Sequence, residues 1–397
     1  MRILIFNQVA APVAGEMNRY VLDVAAHLRS AGDTVALVHG RAPKSEFLGT
    51  GYVFDHLHEG ARNDREVAVR LNAIVEDFLP DVIQIHGVGN LNLDAMLAEK
   101  APTVRFIHNH LFYCSGRHMT WQLPRKICEC RHERNCLVSH YAHRCGSLNP
   151  AANFFRYNRV TTALAALKKL QGVQVASRVI RDNLMRNGID PACIELLPLY
   201  SPAPVGTKPN VAGTRRMILH PGGLVPNKGV WLMAKSIDEL PADVEIVFSG
   251  GGSLQNALED YIKANNLSER IRTIGELTLE QLSHLYAQAT VVVMPSMWNE
   301  PLGLSGMHAM AHGKPVVAFQ SEGIREWLQN GHTGVAVPFA DRKAFVQTLE
   351  KILSQPAKLE EMGAAGLEVW KQKFQPSQHL KRLRACYTKI AAEWRAA

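Results

Sequence analysis

The chain has no long apolar run. Across its 397 residues the uninterrupted apolar stretches stop at about seven, far short of the roughly 20 residues that a membrane-crossing helix needs. No segment is expected to span a bilayer. The opening MRILIFNQVAAP passes straight into a strand-like run with no basic leader ahead of a long apolar stretch, so a cytoplasmic protein is expected, with the inner face of a membrane as the other place it could work. Aromatic residues are sparse at 7% and no aromatic-interleaved basic motif occurs, which argues against a nucleic-acid reader. Nearly half the residues are apolar and a fifth are charged, which excludes a disordered chain and leaves enough apolar surface for two cores. Acids are scarce in one place: from Cys114 to Arg186 only Glu129, Glu133 and Asp182 face thirteen Lys or Arg. That surplus exceeds the net charge of +8 for the whole chain, so the basic character belongs to one segment and suits an anionic partner or membrane surface.

Short β-branched runs alternate with helical patterns. RILIFN (2–7), TVALVHG (34–40), DVIQIHG (81–87), TVRFIHN (103–109) and VQVAS (173–177) form a first series. RMILHPG (216–222), VEIVFSGG (244–251), IRTIGEL (271–277), TVVVMPS (290–296), KPVVAF (314–319) and GVAVPF (334–339) form a second. Strands apolar on both faces, separated by amphipathic helices, predict parallel sheets covered on both sides. Residues 198–214 hold four prolines and three Gly or Asn, the composition of a linker. The expectation is therefore α/β, two tandem doubly wound, Rossmann-like domains: 1–198 with a cysteine-rich insert at 114–145, a linker at 199–214, a second domain at 215–370, and a basic helix over 371–397 docked back on them. Ligands in such folds bind outside the carboxyl ends of strands.

Several strand ends carry candidate chemistry. Gly15 opens the first helix, LHPGGLVPNKG places paired glycines and then Lys228 after a strand, and VFSGGG lets a ligand approach the backbone closely. The strongest signal is VVVMPSMWNEPLGLSGMHAMAHGKPVVAF, where a buried strand ends, Glu300 follows on the loop, and an apolar helix begins at the same edge. A carboxylate there accepts hydrogen bonds from hydroxyls, and a helix N-terminus holds phosphate.

On those residues the full chain resembles a retaining glycosyltransferase of family 4 with the GT-B fold, in which the domains face across a cleft. The resemblance implies transfer of a sugar from a nucleotide-sugar donor, UDP-linked before GDP-linked, to a glycan or lipid-linked acceptor in surface glycan synthesis. It implies that Glu300 binds donor-sugar hydroxyls, that Lys228 meets the diphosphate, and that His108 lies near the reacting sugar carbon. Gly15 would adjoin the leaving diphosphate, N–H groups around Gly303, Leu304 and Ser305 would meet the donor, and Gly275, Glu276 and Leu277 would flank the base. Two positions depart from the family pattern. Gly223 stands where an Arg is usual, and His308 replaces the second glutamate of the E-P-F-G-L…E-A-M-A stretch. A neutral imidazole offers one acceptor, which His⁺ loses, so donor binding is expected to weaken as pH falls through the imidazole range. The alternative these departures raise is a non-catalytic sugar-nucleotide or glycan-binding protein on the same scaffold. Retention would let the departing phosphate assist the incoming hydroxyl, and transfer would need no metal or other cofactor.

Five of the seven cysteines fall in the insert: Cys114, Cys128, Cys130, Cys136 and Cys145. Cys128, Cys130, Cys136 and Cys145 could hold structural zinc tetrahedrally, with an iron–sulfur cluster as a variant; reduced thiols in a loop, or disulfides, are the other readings. The insert follows His108 and supplies much of the basic 114–186 segment, through which a peripheral membrane contact would form.

Overall fold

A computed structural model describes residues 1–9, 16–40, 50–61, 65–205 and 215–396. The chain divides into two compact units. Unit 1 comprises Met1–His118, Glu129–Pro198 and Ser377–Ala397; unit 2 comprises Met119–Cys128 and Leu199–Pro376.

Unit 1 is built on strands β1 (Arg2–Phe6), β2 (Thr34–His39), β3 (Gly51–Val53), β4 (Val82–Ile85) and β5 (Thr103–Ile107). The insert then forms a hairpin of β6 (Thr120–Gln122) and β7 (Arg125–Ile127) that groups with unit 2, after which β8 (Gly172–Val175) and β9 (Ile194–Leu196) return to unit 1. All pairings within the seven-stranded sheet are parallel, in the order β3-β2-β1-β4-β5-β8-β9. The interior strands β4, β5 and β8 are buried along their whole length, as runs such as TVRFI require when helices cover both faces. The chain moves from β1 outward to β3 and then restarts at β4 on the other side of β1, so the order reverses between β1 and β4.

Helices α1 (Glu16–Ser30), α2 (Arg65–Phe78), α3 (Asn92–Ala98), α4 (Asn135–Ala142), α5 (Pro150–Leu167) and α6 (Arg178–Arg186) complete the central part of unit 1. Asn149 caps α5, its side chain accepting from the N–H groups of Ala151 and Ala152, with Pro150 at the first position where a missing N–H costs nothing.

Unit 2 carries β10 (Arg216–Pro221), β11 (Val244–Ser249), β12 (Ile271–Thr273), β13 (Val291–Met294), β14 (Val316–Phe319) and β15 (Gly334–Val337), again parallel, in the order β12-β11-β10-β13-β14-β15. Here the order reverses between β10 and β13. Its helices are α7 (Val230–Ala234), α8 (Gln255–Ala264), α9 (Leu279–Gln288), α10 (Leu304–Ala311), α11 (Arg342–Leu353) and α12 (Pro356–Lys373). A reciprocal capping box starts α9: Thr278 Oγ1 accepts from Gln281 N at 3.2 Å and Gln281 Oε1 accepts from Thr278 N at 3.0 Å.

The doubly wound expectation holds in each unit, while the boundaries differ in three ways. Of the insert, 119–128 groups with unit 2. Of the expected linker, 206–214 lies outside the described residues, and 199–205 belongs to unit 2 with Tyr200 and Ser201 buried, Trp370 Nε1 donating to Ser201 O at 3.2 Å. The expected tail helix over 371–397 is two pieces, the end of α12 and then α13 (Pro376–Ala396), nearly all of which joins unit 1. There α13 buries Leu383, Tyr387 and Ile390. His379 Nδ1 lies 2.8 Å from Pro198 O, and Arg384 pairs with Asp33 at 3.1 Å.

Candidate active site

In unit 2 the chemistry gathers where β10 and β13 end, the point at which the strand order reverses and loops leave in opposite directions. After β10, Gly222 takes φ +107°, and a Cβ there would sit 3.8 Å from Ser305 Oγ, so the strand end lies against the first turn of α10. Gly223 follows, with Leu224 N donating to Gly251 O at 2.8 Å, which ties the loop after β10 to the loop after β11. Gly229, at φ +73°, then lets the backbone press against Pro295 at the end of β13, where any side chain would collide. Met297 N donates to Asn227 O at 2.7 Å across the same gap. The two loops are thereby held side by side.

That packing brings together two residues 72 positions apart. Lys228 Nζ donates to Glu300 Oε1 at 2.6 Å, and Ser296 Oγ donates to the same oxygen at 2.6 Å. The ammonium also lies 5.3 Å from the centre of the Trp298 ring, a cation–π distance. Burial by itself would raise the Glu300 pKa, but the charge of Lys228 and hydrogen bonds from Lys228, Ser296 and Trp298 together outweigh it and hold the carboxyl below its usual 4.5. Glu300 is thus a buried, ionised acceptor. Below Lys228, His220 Nε2 lies 2.9 Å from Lys228 O; a carbonyl only accepts, so Nε2 carries the proton.

Gly303, at φ +83°, starts α10, whose residues from Ser305 to Ala311 are all buried. His308 lies on this helix, its Nδ1 3.1 Å from Ser201 Oγ and its ring stacked at 6.0 Å on Tyr286, whose hydroxyl donates to Ser305 O at 2.9 Å. Gly275, at φ +75° with open space where a Cβ would be, accepts from Gly250 N at 2.6 Å, and Glu276 lies beside Gly251. Leu277 leads into the cap of α9. Unit 2 therefore collects Gly223, Lys228, Glu300, Gly303, Leu304, Ser305 and His308 at one sheet edge, with Gly275 and Glu276 at its β11–β12 side. Trp298, Ser296 and Ser201 were not anticipated; only the Ser two residues before a Trp in PSMWNE hinted at them.

In unit 1 His108 follows β5, at the same edge as the end of β4. Its Nε2 lies 3.0 Å from Nδ1 of His86, and Phe106 stacks on both rings. Among the described residues His86 Nε2 is buried without a hydrogen-bond partner. Stranding a lone pair costs less than stranding an N–H, so His86 Nδ1–H donates to His108 Nε2, and His108 carries its own proton on Nδ1. Burial, with Arg105 and His379 nearby, pushes the His108 pKa down to about 3; burial and the neighbouring His108, Arg105 and His379 push His86 well below its usual value. Both rings are neutral donors and acceptors. Tyr20 on α1 contacts both rings edge-on and hydrogen-bonds His379 Nε2 at 2.7 Å. Gly15, expected beside the diphosphate, lies outside the described residues.

Of the insert's thiols, Cys114, Cys130 and Cys136 lie close enough to Cys145 to act on it. Cys145 is pushed up to about 12 by burial and by the neighbouring Cys114, Cys136 and Cys130, and Cys136 is raised chiefly by burial, with Cys114 and Cys130 adding to it. Cys114 thus lies among the thiols that act on Cys145, and the Cys128 N–H closes the hairpin on Met119 O at 2.8 Å. No disulfide joins the cysteines of the described residues, and among those residues no three His, Cys, Asp or Glu side chains are placed to hold a metal ion.

Comparison with known proteins agrees with the two-unit division. Residues 17–199 match the family described as Glycosyltransferase Family 4, and residues 207–369 match Glycosyl transferases group 1. D-inositol 3-phosphate glycosyltransferase of Corynebacterium diphtheriae is 31% identical over 43% of this chain and 43% of its own length. The chain spans about half the length of several curated relatives it matches. Sucrose-phosphate synthase from Thermosynechococcus elongatus shares the fold at a TM-score of 0.74 and 18% identity, covering 99% of this chain and 100% of that one. So does the Anabaena protein HepE in complex with UDP and glucose, at 0.74 and 15%, covering 98% and 99%.

Proposed function

Because the chain belongs to glycosyltransferase family 4, we propose that it transfers a sugar from a nucleoside diphosphate, a UDP-sugar in first place, to a hydroxyl of a glycan or lipid-linked acceptor with retention at the sugar carbon. The observation that carries this reading is the buried, ionised Glu300 held by Lys228 at the edge where the strand order of unit 2 reverses. A carboxylate fixed this way accepts from sugar hydroxyls without needing to be ordered when the donor arrives. Lys228, a quarter exposed, can turn part of its donor capacity toward a diphosphate. The first turn of α10, opened by Gly303, directs N–H groups of Leu304 and Ser305 toward the same anion. His308 takes the ribose hydroxyls, and the space beside Gly275 takes the base.

In the reaction the bond from the sugar carbon to the diphosphate oxygen breaks while the acceptor hydroxyl forms its bond on the same face. The acceptor proton passes to the departing phosphate, and the nucleoside diphosphate leaves. Charge grows on the diphosphate as it departs, and Lys228 with the α10 N-terminus stabilises it most at that point. No protein nucleophile is required.

Thermal shift against UDP, GDP, ADP, CMP and dTDP tests the reading. UDP is expected to raise the melting temperature in proportion to the logarithm of its concentration above the dissociation constant. With UDP-sugars, Glu300→Ala should lose the additional shift that the sugar brings. No response to any nucleotide would overturn the donor assignment.

A further inference from the structure

We propose that α4 and the first half of α5 form a docking face for an anionic lipid bilayer, independent of the sugar-transfer reading. Large apolar side chains are strongly exposed there: Val138 and Leu148 at 67%, Phe154 at 60%, Phe155 at 57% and Tyr141 at 43%. A surface helix of a globular domain turns a polar face to solvent. The outward face of α5 shows instead Ala151, Phe154, Phe155, Asn158, Thr162 and Ala165, without one charge. Its arginines turn away from that face, Arg159 reaching Glu59 at 2.6 Å.

The five side chains lie on one packed substructure, α4, the loop after it and α5. α4 packs on α5, and the Ser115 hydroxyl fixes α4 through His140 Nε2 at 2.9 Å. Ser147 N donates to Asn153 Oδ1 at 3.0 Å, while the Asn153 amide returns to Ser147 O, which clamps the loop that carries Leu148 against α5. Residues of this kind scattered singly need no explanation; a contiguous patch does.

Charge selects the occupant. The 48 residues from 134 to 181 contain no Asp or Glu and eight Lys or Arg. Exposed Arg134 and Arg144 lie within the apolar stretch itself. Apolar side chains that enter the boundary of the acyl region, ringed by arginines at headgroup level, are what an anionic bilayer rewards. A second copy of the chain would bring cationic faces together. Nucleic acid would match the charge but leave the aliphatic Val138 and Leu148 without a base to stack on.

The test is co-sedimentation of the full-length protein with phosphatidylcholine vesicles, with and without phosphatidylglycerol, at low and high salt. The wild type should pellet with the anionic vesicles and stay in solution with the neutral ones. Phe154→Ser/Phe155→Ser should lower partitioning by about tenfold or more, and Arg134→Gln/Arg144→Gln should lower it most at low salt. Unchanged circular dichroism and urea midpoints would show both variants folded, and should one variant misfold, the other decides. The proposal fails if the wild type ignores anionic vesicles, or if the phenylalanine variant binds them as well as the wild type does. It fails equally if the face proves to hold a dimer that the phenylalanine variant splits, or a single-stranded oligonucleotide, in place of vesicles.

Discussion

Lys228 and Glu300 meet at 2.6 Å with unequal exposure, 26% for the lysine side chain and 4% for the glutamate. The lysine can therefore trade partners with solvent or ligand, whereas the carboxylate cannot. Lys228→Met should cost about 2–3 kcal/mol of stability in unit 2, because it leaves a buried charge without its partner. Lys228→Met/Glu300→Gln should recover part of that loss. Urea denaturation of the three proteins measures both; a double variant no more stable than the single one would contradict the pairing. The sign with pH follows from the lowered carboxyl pKa. The stabilisation is complete above the ordinary 4.5 and disappears as pH falls through the lower folded value.

A second acid sensitivity arises at higher pH. His108 is pushed down to about 3, and His220 and His379 to about 4, by burial above all. The unfolded chain takes up these protons near pH 6.5, so the folded state loses stability from there downward, by up to about 1.4 kcal/mol per pH unit for each ring. Urea midpoints should fall between pH 7.5 and 5, and His108→Gln should show a shallower fall. A midpoint independent of pH over that range would show that the rings are not held neutral.

Gly306→Ala tests how α10 is seated. An added Cβ would overlap the Trp327 ring, which is fully buried and anchored by its Nε1–H to Leu302 O at 2.7 Å. Neither partner can yield without moving the helix. The substitution should cost about 1–3 kcal/mol and shrink the UDP-induced thermal shift. An unchanged shift would mean that the position of the helix does not matter to the nucleotide.

Cys145 should resist alkylation. With its thiol pushed up to about 12, little thiolate exists at pH 8, and iodoacetamide should modify it roughly tenfold or more slowly than a free cysteine. Peptide mapping over a time course gives the rate. Reaction at the speed of the free amino acid would mean that the neighbouring thiols do not surround it as described.

The runs RILIF, VIQI, TVRFI and VVVM are apolar throughout because helices cover both faces of their sheets, and that pattern is visible without coordinates. β3, β9 and the β6–β7 hairpin are three-residue pieces, too short for any period to register. Glu300 and Lys228 were each legible as polar residues after strands, yet their contact depends on Gly229 admitting Pro295, a matter of backbone approach. His86 was hidden inside IQIHG, where it looks like the end of a core strand. The apolar stretch around Phe154 could be read as core, since periodicity reports that a face is apolar without saying whether anything covers it.

The last helix, α13, completes a unit whose other parts are made first. A ribosome finishes the whole of unit 2 before it releases residues 377–397, so unit 2 can fold while unit 1 still waits for the helix that covers it. Until then the surface destined for Tyr387 and Ile390 stays open, and nascent unit 1 offers chaperones a site that the finished protein lacks. A fragment ending at Pro198 would be held permanently at that stage, however complete its sheet.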